Sequence, residues 1–226
     1  MRHLFIFAVL ILIPYFGFTQ STTRKRSINM GFHQMNSAGL LACYVYKYDG
    51  FPTQQSKATF MDLNFLVSKR SAGSVSIKGK SFDLSRLALI HGFGINNKGF
   101  VQKGMTTDGS SDYYEYTALM KRSYVSLYGG FSYDFISYKK LKAGLGILLN
   151  PDIDLGKVFE KESNFRLIGL GSRCFAFIEY EITKESGLRF SPYFQSAVTN
   201  YYKSSKNSSA AEYRPYGFGF NIGLLF

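Results

Sequence analysis

Apolar and polar side chains alternate along most of the chain after residue 20. In the segment SYVSLYGGFSYDF, Val125 and Leu127 stand at odd positions, whereas Ser126 stands between them. The segments LKAGLGILLN and LRFSPYFQSAV repeat this alternation. A period of two residues is typical of β-strands whose two faces meet different surroundings, and a helical period is nearly absent here. The pattern therefore predicts an all-β fold.

Turn signals separate eight predicted strands. They lie at residues 37–48, 57–69, 85–95, 122–136, 139–149, 165–182, 187–201 and 213–226. Toward the C-terminus, long and short connections alternate, which is typical of an antiparallel up-and-down membrane barrel with both chain ends in the periplasm. Residues 70–84 break this rule, because a short turn is expected there and the segment is too long for one. A ten-stranded barrel is the alternative, if residues 70–84 or 113–121 also pair as strands.

The first 20 residues have the composition of a secretory signal peptide. A basic start at Arg2 precedes an apolar run, and Gly17 and Thr19 place small residues where a signal peptidase requires them. The apolar run is short for a membrane helix, which needs about 20 such residues. We therefore predict that residues 1–20 are a cleaved signal peptide and that residues 21–226 form one domain. An uncleaved anchor is the alternative.

Alternation alone does not say which face of the strands is buried. A soluble barrel turns its apolar face inward, whereas a membrane barrel turns that face toward lipid. The polar faces of this chain are rich in glycine and serine, and small residues mixed with charges suit the narrow interior of an eight-stranded barrel. A soluble exterior has no need of glycine in mid-strand. The residues predicted to line a packed polar interior are Asp134, Lys142, Glu179, Glu181 and Arg189.

Tyrosines cluster near several predicted strand ends. These residues are Tyr44, Tyr46, Tyr48, Tyr201, Tyr202, Tyr213 and Tyr216. An aromatic ring with a polar tip suits the boundary between lipid and water, which favours the membrane barrel. The general enrichment of aromatic residues in strands is the alternative explanation.

The last strand ends on a stripe of large apolar side chains. In YGFGFNIGLLF, every second position carries one of Phe218, Phe220, Ile222, Leu224 and Phe226. Chain ends usually fray and favour polar residues, but a closed barrel pairs its last strand with its first and leaves no tail. The stripe looks like the C-terminal signal by which outer-membrane barrels are recognised for insertion. The barrel-assembly machinery is therefore an expected partner.

With its signal peptide, the hairpin YVSLYGGFSYDF…KKLKAGLGILL and this last strand, the chain resembles the small PorT-like and OmpA-like outer-membrane β-barrels of Gram-negative bacteria. The resemblance covers most of residues 27–226 as a pattern, and only the C-terminal third as a motif. It implies a monomeric, closed, transmembrane β-barrel in the outer membrane. Family members include structural proteins and accessories of secretion and motility, so function transfers less well than fold.

The formal net charge of +12 bears on the expected partners. Basic residues concentrate near predicted strand ends, where they are expected to meet lipopolysaccharide phosphates on the outer side and acidic proteins on the periplasmic side. A solvated set of loops is the plainer explanation. Nucleic acid is not an expected partner, because the protein is exported.

Few residues suggest chemistry. His91 shares its parity with apolar neighbours in LALIHGFGI, which predicts a structural ring on the lipid side. Serines abound without a GxSxG setting, so no catalytic residue is expected. Asp152 and Asp154 in PDIDLG are faintly similar to the start of a calcium loop, but an ordinary turn is the preferred interpretation. Cys43 and Cys174 are compatible with a disulfide or with two free thiols. No cofactor or metal is expected.

The predicted function is that of a non-enzymatic outer-membrane barrel with a packed polar interior. It is expected to be structural or a partner-binding accessory, of the kind found in secretion or gliding systems. The alternatives are a small pore or transporter, an outer-membrane lipid-modifying enzyme, and a soluble periplasmic barrel of the lipocalin type.

Overall fold

The computed structural model describes residues 23–38, 54–70, 74–77, 80–107, 113–159, 165–202 and 213–226. The predicted signal peptide at residues 1–20 lies outside this part of the chain. Within the described ranges, no helix has the length and apolar character needed to cross a membrane.

Strands make up most of the described chain. They are β1 (Thr23–Ala38), β2 (Gln54–Ser56), β3 (Ala58–Arg70), β4 (Ser74–Ile77), β5 (Lys80–Asp83), β6 (Leu87–Thr107), β7 (Tyr113–Tyr138), β8 (Leu141–Asp154), β9 (Ile168–Glu181), β10 (Gly187–Ala197) and β11 (Arg214–Leu225). A 3₁₀ turn at Leu84–Arg86 precedes β6, and the short helix α1 (Leu155–Phe159) follows β8.

The described strands close into an eight-stranded antiparallel barrel. β2 and β3 form one barrel strand, because they flank Lys57 and both pair with β6. Neighbouring barrel strands follow chain order, and β1 pairs with β11 from Ser27↔Leu225 to Ala38↔Arg214. The ladder between β6 and β7 completes the ring. The predicted closed up-and-down barrel is confirmed.

The first barrel strand begins earlier than predicted. β1 spans residues 23–38, so the strand predicted at 37–48 overlaps it only at Ser37 and Ala38. The rest of that prediction lies outside the described residues. The prediction was wrong because β1 opens on the basic letters TRKR and contains few β-branched or aromatic residues. Its extended state is imposed by pairing with β3 on one side and β11 on the other.

The segments that suggested ten strands do not add to the barrel. β4 and β5 pair only with each other and form a separate hairpin between β3 and β6. Residues 113–121 belong to β7, where they continue its ladder with β6 as far as Thr107↔Tyr113.

Both ends of the barrel domain lie at the same end of the cylinder. Arg26 and Phe226 exchange two backbone hydrogen bonds of 2.9 Å. The same end carries the two-residue turn 139–140 and the turn 182–186. The strand ends that are joined by residues 39–53, 155–167 and 198–213 lie at the opposite end, whereas the longer connection that contains β4 and β5 lies at the same end as the two turns. Because short turns are typical of the periplasmic side, we call the first end periplasmic and the other the outer end.

Large apolar side chains cover the outside of the cylinder. This apolar belt includes Ile28, Met30, Leu63, Phe93, Ile95, Leu127, Phe131, Leu145, Ile147, Ile178, Phe190 and Ile222, all exposed. A closed barrel that presents such a belt is stable in lipid, since water would leave a large apolar surface uncovered. The predicted facing is therefore confirmed. The protein is an outer-membrane barrel, and the soluble lipocalin-like alternative is excluded.

Interior glycines on β8 make room for aromatic rings on β9. A Cβ atom built on Gly146 would lie 2.3 Å from the Phe175 ring, and one on Gly144 would lie 2.7 Å from the Phe177 ring. Each glycine is directly opposite the ring it accommodates. Glycine in mid-strand is therefore required by the packing of the interior.

Candidate functional site: the barrel interior

Three of the five predicted interior residues meet in one buried layer near the periplasmic end. Arg70 Nη2 lies 2.9 Å from Asp134 Oδ2, and Arg189 Nη2 lies 2.6 Å from Glu179 Oε1. A 3.9 Å contact between Arg70 and Glu179 joins the two ion pairs. All four residues are buried, and they come from four different strands. We call them the periplasmic ion-pair layer.

The other two predicted interior residues, Lys142 and Glu181, lie at the periplasmic mouth. Lys25 Nζ donates to Glu181 Oε1 at 2.6 Å, and Lys142 Nζ donates to the same oxygen at 3.1 Å. The three side chains keep about a fifth to a quarter of their surface in solvent, at 21%, 19% and 24% for Lys25, Lys142 and Glu181. Ion pairs this exposed contribute little to stability, because water and salt screen them.

An apolar layer lies above the periplasmic ion-pair layer. Its members are Leu66, Ile90, Tyr128, Leu148, Phe175, Phe177 and Tyr193, contributed by six strands. The Arg189 guanidinium stacks on it from below, 4.7 Å from the centre of the Phe177 ring. The interior is therefore packed, and besides the predicted polar side chains it contains a layer of apolar ones. Rings occupy the space that the interior glycines leave, and they exclude water from the middle of the lumen.

A second buried ion pair lies on the outer side of the apolar layer. Arg173 Nη2 donates to Asp62 Oδ2 at 2.8 Å and to Gln195 Oε1 at 2.9 Å. The guanidinium also lies 4.1 Å from the centre of the Tyr193 ring and 5.4 Å from that of Tyr128. Sequence reasoning missed this pair. Arg173 is separated from Glu179 and Glu181 by an even number of residues along β9, so the alternation could have placed it on the same inward face.

His33 is the buried histidine of the interior. Its Nε2 lies 2.8 Å from the Asn97 carbonyl oxygen, which only accepts, so Nε2 carries the proton. Its Nδ1 lies 3.1 Å from the Tyr193 hydroxyl and 3.9 Å from Asp62. Both ring nitrogens thus have partners, and no serine hydroxyl contacts the ring among the described residues. This arrangement suits a structural histidine better than a general base.

Lys98 and Asp152 form another buried ion pair nearer the outer end. Lys98 Nζ also donates to the Tyr201 hydroxyl at 3.2 Å. Asp152 accepts hydrogen bonds from Ser126, Tyr201 and Asn150 as well. A carboxylate with this many donors is well compensated for the loss of water.

Asp152 and Asp154 lie on the inward face of β8, so the interpretation of PDIDLG as a turn is wrong. Both residues are fully buried, and Asp154 Oδ1 lies 3.9 Å from Arg122 Nη1. Lys142 was predicted to point inward, and every second residue after it along β8, including Asp152 and Asp154, lies on the same face. The proline and glycine of the segment concealed this, because they are usual turn residues.

An aromatic cluster packs inside the outer end. It comprises Phe100, Tyr124, Tyr201 and Tyr213, with Phe165, Ala197 and Tyr202 against it. Tyr201 and Tyr213 are only 1% and 2% exposed, so their predicted position at the lipid–water boundary is wrong. The chain after β10 folds inward, and the Tyr201 amide donates to the Tyr213 carbonyl at 2.9 Å. The tyrosines predicted at positions 44, 46 and 48 lie outside the described residues.

The predicted insertion signal lies on the outer face of β11. Phe218, Phe220, Ile222, Leu224 and Phe226 are all exposed, at up to 67% for Phe218. β11 pairs with β1 on one side and with β10 on the other, so neither edge of the strand is free. Recognition of this strand by the assembly machinery stays a prediction.

The two remaining candidates also lie on the outer face. His91 pairs with Val67 across β3 and β6 and is partly exposed, as its parity predicted. Cys174 is an exposed free thiol on β9. Cys43 lies outside the described residues, so a disulfide between the two stays open.

These features define the protein as a closed transmembrane β-barrel of the outer membrane, with neutralised charges inside. Each interior carboxylate lies beside a basic side chain: Asp62 with Arg173, Asp134 with Arg70, Asp152 with Lys98, Asp154 with Arg122, Glu179 with Arg189, and Glu181 with Lys25. The arrangement holds these carboxylates in place beside fixed basic partners.

Comparison with solved structures finds similar outer-membrane proteins. OprG from Pseudomonas aeruginosa is 9% identical, with 92% of this chain and 97% of that chain covered and a TM-score of 0.43. AlkL in DMPC bilayers is 11% identical, with coverage of 93% and 91% and a TM-score of 0.48. The protease OmpT from Escherichia coli is 12% identical, with coverage of 92% and 98% and a TM-score of 0.42. No protein-family model and no curated protein matches the chain.

Proposed function

We propose that this protein is a non-enzymatic outer-membrane barrel of the PorT-like or OmpA-like kind, which anchors a partner-binding surface in the membrane. The observation that carries this proposal is the filled interior. Two buried ion-pair levels, around Glu179 and around Asp62, enclose the apolar layer between them. A barrel packed in this way is suited to be a rigid anchor rather than a conduit.

Packing of the lumen argues against the alternative of a small pore. A path for water or ions would have to pass between the rings of Phe175 and Phe177 and the side chain of Leu148, each of which is buried. It would also have to break the buried pairs of Arg173 and Arg189. The paired state of His33 and the absence of a serine beside it within the described interior argue against the enzyme alternative.

A tall β-hairpin supplies the surface for a partner. β6 and β7 continue their ladder from Gly99↔Lys121 to Thr107↔Tyr113, whereas the ladder between β7 and β8 stops at Tyr124↔Asp154. Nine rungs at 3.3 Å per residue span about 26 Å along the strands, and β2 pairs with the β6 edge of this stretch as far as Gln54↔Lys103. We call residues 99–107 and 113–121 the β6–β7 extension. It carries exposed Leu119 toward the outer end of the barrel, five residues beyond the last pairing of β7 with β8.

Conductance in planar bilayers tests the filled interior. We expect no resolved current steps from the wild-type protein, whose folding is verified by a heat-modifiable band shift. The matched variant Phe175→Ala/Phe177→Ala, verified in the same way, removes two rings of the apolar layer and is expected to conduct. Steady conductance of the wild-type barrel would favour the small pore instead.

Site-specific photo-crosslinking in cells tests the partner-binding surface. A photoreactive residue at Leu119 is expected to capture a protein at the outer end. The control position is Leu127, which lies on the same face of β7 within the apolar belt and is similarly exposed, so it is expected to capture lipid. Identical products from both positions would contradict a partner-binding role for the extension.

A further inference from the structure

We propose that exposed basic residues around the periplasmic end bind the phosphate headgroups of anionic phospholipids in the inner leaflet of the outer membrane. These residues are Arg26, Lys139, Lys140 and Lys184, and we call them the basic collar. The inference concerns the lipid surroundings of the barrel and is independent of the partner-binding function proposed above.

Each member of the basic collar lies directly beside exposed apolar side chains of the belt. Arg26 on β1 lies two residues from Ile28 and pairs with Phe226. Lys139 and Lys140 form the turn between Tyr138 and Leu141, and Lys184 lies two residues after Ile182; these apolar neighbours are all exposed. A cation at the edge of an apolar belt lies at the level of the lipid headgroups.

Interior acids do not neutralise the basic collar. Glu181, the acid at the periplasmic mouth, already accepts hydrogen bonds from Lys25 and Lys142. Among the residues whose side-chain burial the structure describes, Glu185 is the exposed acid at this end. The collar therefore carries an excess of positive charge into the headgroup region.

The backbone at Lys139 supports a role for its side chain. Its φ is 50°, in the left-handed region that glycine or asparagine adopts more readily. A lysine at this position is disfavoured relative to glycine. Its ammonium group lies 5.2 Å from the centre of the ring of Tyr138, an exposed side chain at the edge of the apolar belt.

The distribution of charge favours lipid over an acidic protein as the ligand. Collar residues occur on β1, at the turn between β7 and β8, and at the turn between β9 and β10. Positive charge thus occurs at three separate points around the ring, where annular lipids lie, whereas a protein partner would be matched by a patch on one side.

Lipid retention measured by native mass spectrometry tests this proposal. The full-length barrel is placed in bilayers of equal parts phosphatidylglycerol and phosphatidylcholine and then released with its bound lipids. We expect the wild-type protein to retain phosphatidylglycerol in preference to phosphatidylcholine. The preference should fall about fivefold for each collar charge removed, and it should weaken at high salt. Folding of each variant is verified by heat-modifiability.

A matched pair of double variants locates the effect. Lys139→Gln/Lys140→Gln removes two collar charges, whereas Lys103→Gln/Lys121→Gln removes two exposed charges from the β6–β7 extension, far from the periplasmic end. The proposal requires a loss of preference in the first variant and none in the second. An unchanged preference in the collar variant, or an equal loss in both, would overturn it. An acidic protein as the true ligand would give the unchanged result.

Discussion

Replacing Arg173 by methionine should destabilise the barrel strongly, because it leaves the buried carboxyl group of Asp62 without its main partner. The substitution removes the hydrogen bonds to Asp62 at 2.8 Å and to Gln195 at 2.9 Å. Methionine preserves most of the packing of the stem between the rings of Tyr128 and Tyr193. Breaking a buried ion pair from one side costs about 3–5 kcal/mol, and we expect the free energy of unfolding to fall by that amount.

A double-mutant cycle separates the ion pair from the loss of packing. Asp62→Asn removes the carboxylate charge, so the variant Asp62→Asn/Arg173→Met no longer contains a buried unpaired charge. We expect this double variant to be more stable than Arg173→Met alone, by about 2 kcal/mol, since the desolvation penalty of the lone carboxylate disappears. The two single losses should therefore not add.

The measurement is denaturant unfolding in lipid vesicles, followed by circular dichroism because the chain contains no tryptophan. Lys142→Met is the matched control, since it removes a cation of the exposed mouth and should cost at most about 1 kcal/mol. Our reasoning fails if Arg173→Met costs no more than this control. It also fails if the effects of Asp62→Asn and Arg173→Met are additive.

Two further substitutions test the facing and the packing of the wall. Ile222→Arg places a charge in the apolar belt and should lower the free energy of unfolding by up to about 2–4 kcal/mol if the position lies near the midplane. Asn221→Ser, on the inner face, should have a mild effect. Equal losses of stability for both variants in vesicle unfolding would refute the assignment of the two faces. Gly146→Val should cost about 1–3 kcal/mol, because its side chain overlaps the Phe175 ring. Gly129→Ala, with no neighbour within 4 Å of its Cβ, is the control, and a comparable loss in both would count against ring packing.

The alternation of apolar and polar residues predicted the barrel architecture well, but it predicted the first strand and the segment after β10 poorly. The outward positions of β7, β8, β10 and β11 all follow from a period of two, which depends only on neighbouring residues along one strand. β1 was misplaced, because its strand state depends on β3 and β11 rather than on its own composition. Tyr201 was assigned to the membrane boundary because sequence does not show that the segment after β10 folds into the lumen.

The sequence by itself determined that this protein is an all-β barrel, which face of its alternating strands meets lipid, and that some charged residues, such as Asp134, Glu179 and Arg189, lie inside. These properties are local, because successive side chains of a strand must point to opposite faces. Only the tertiary structure decided which charges meet. Arg173 and Asp62 are 111 residues apart in the chain, and their contact depends on the stagger between strands and on closure of the ring between β6 and β7. The apolar layer was likewise decided by closure, since six strands must converge before their side chains can fill one lumen.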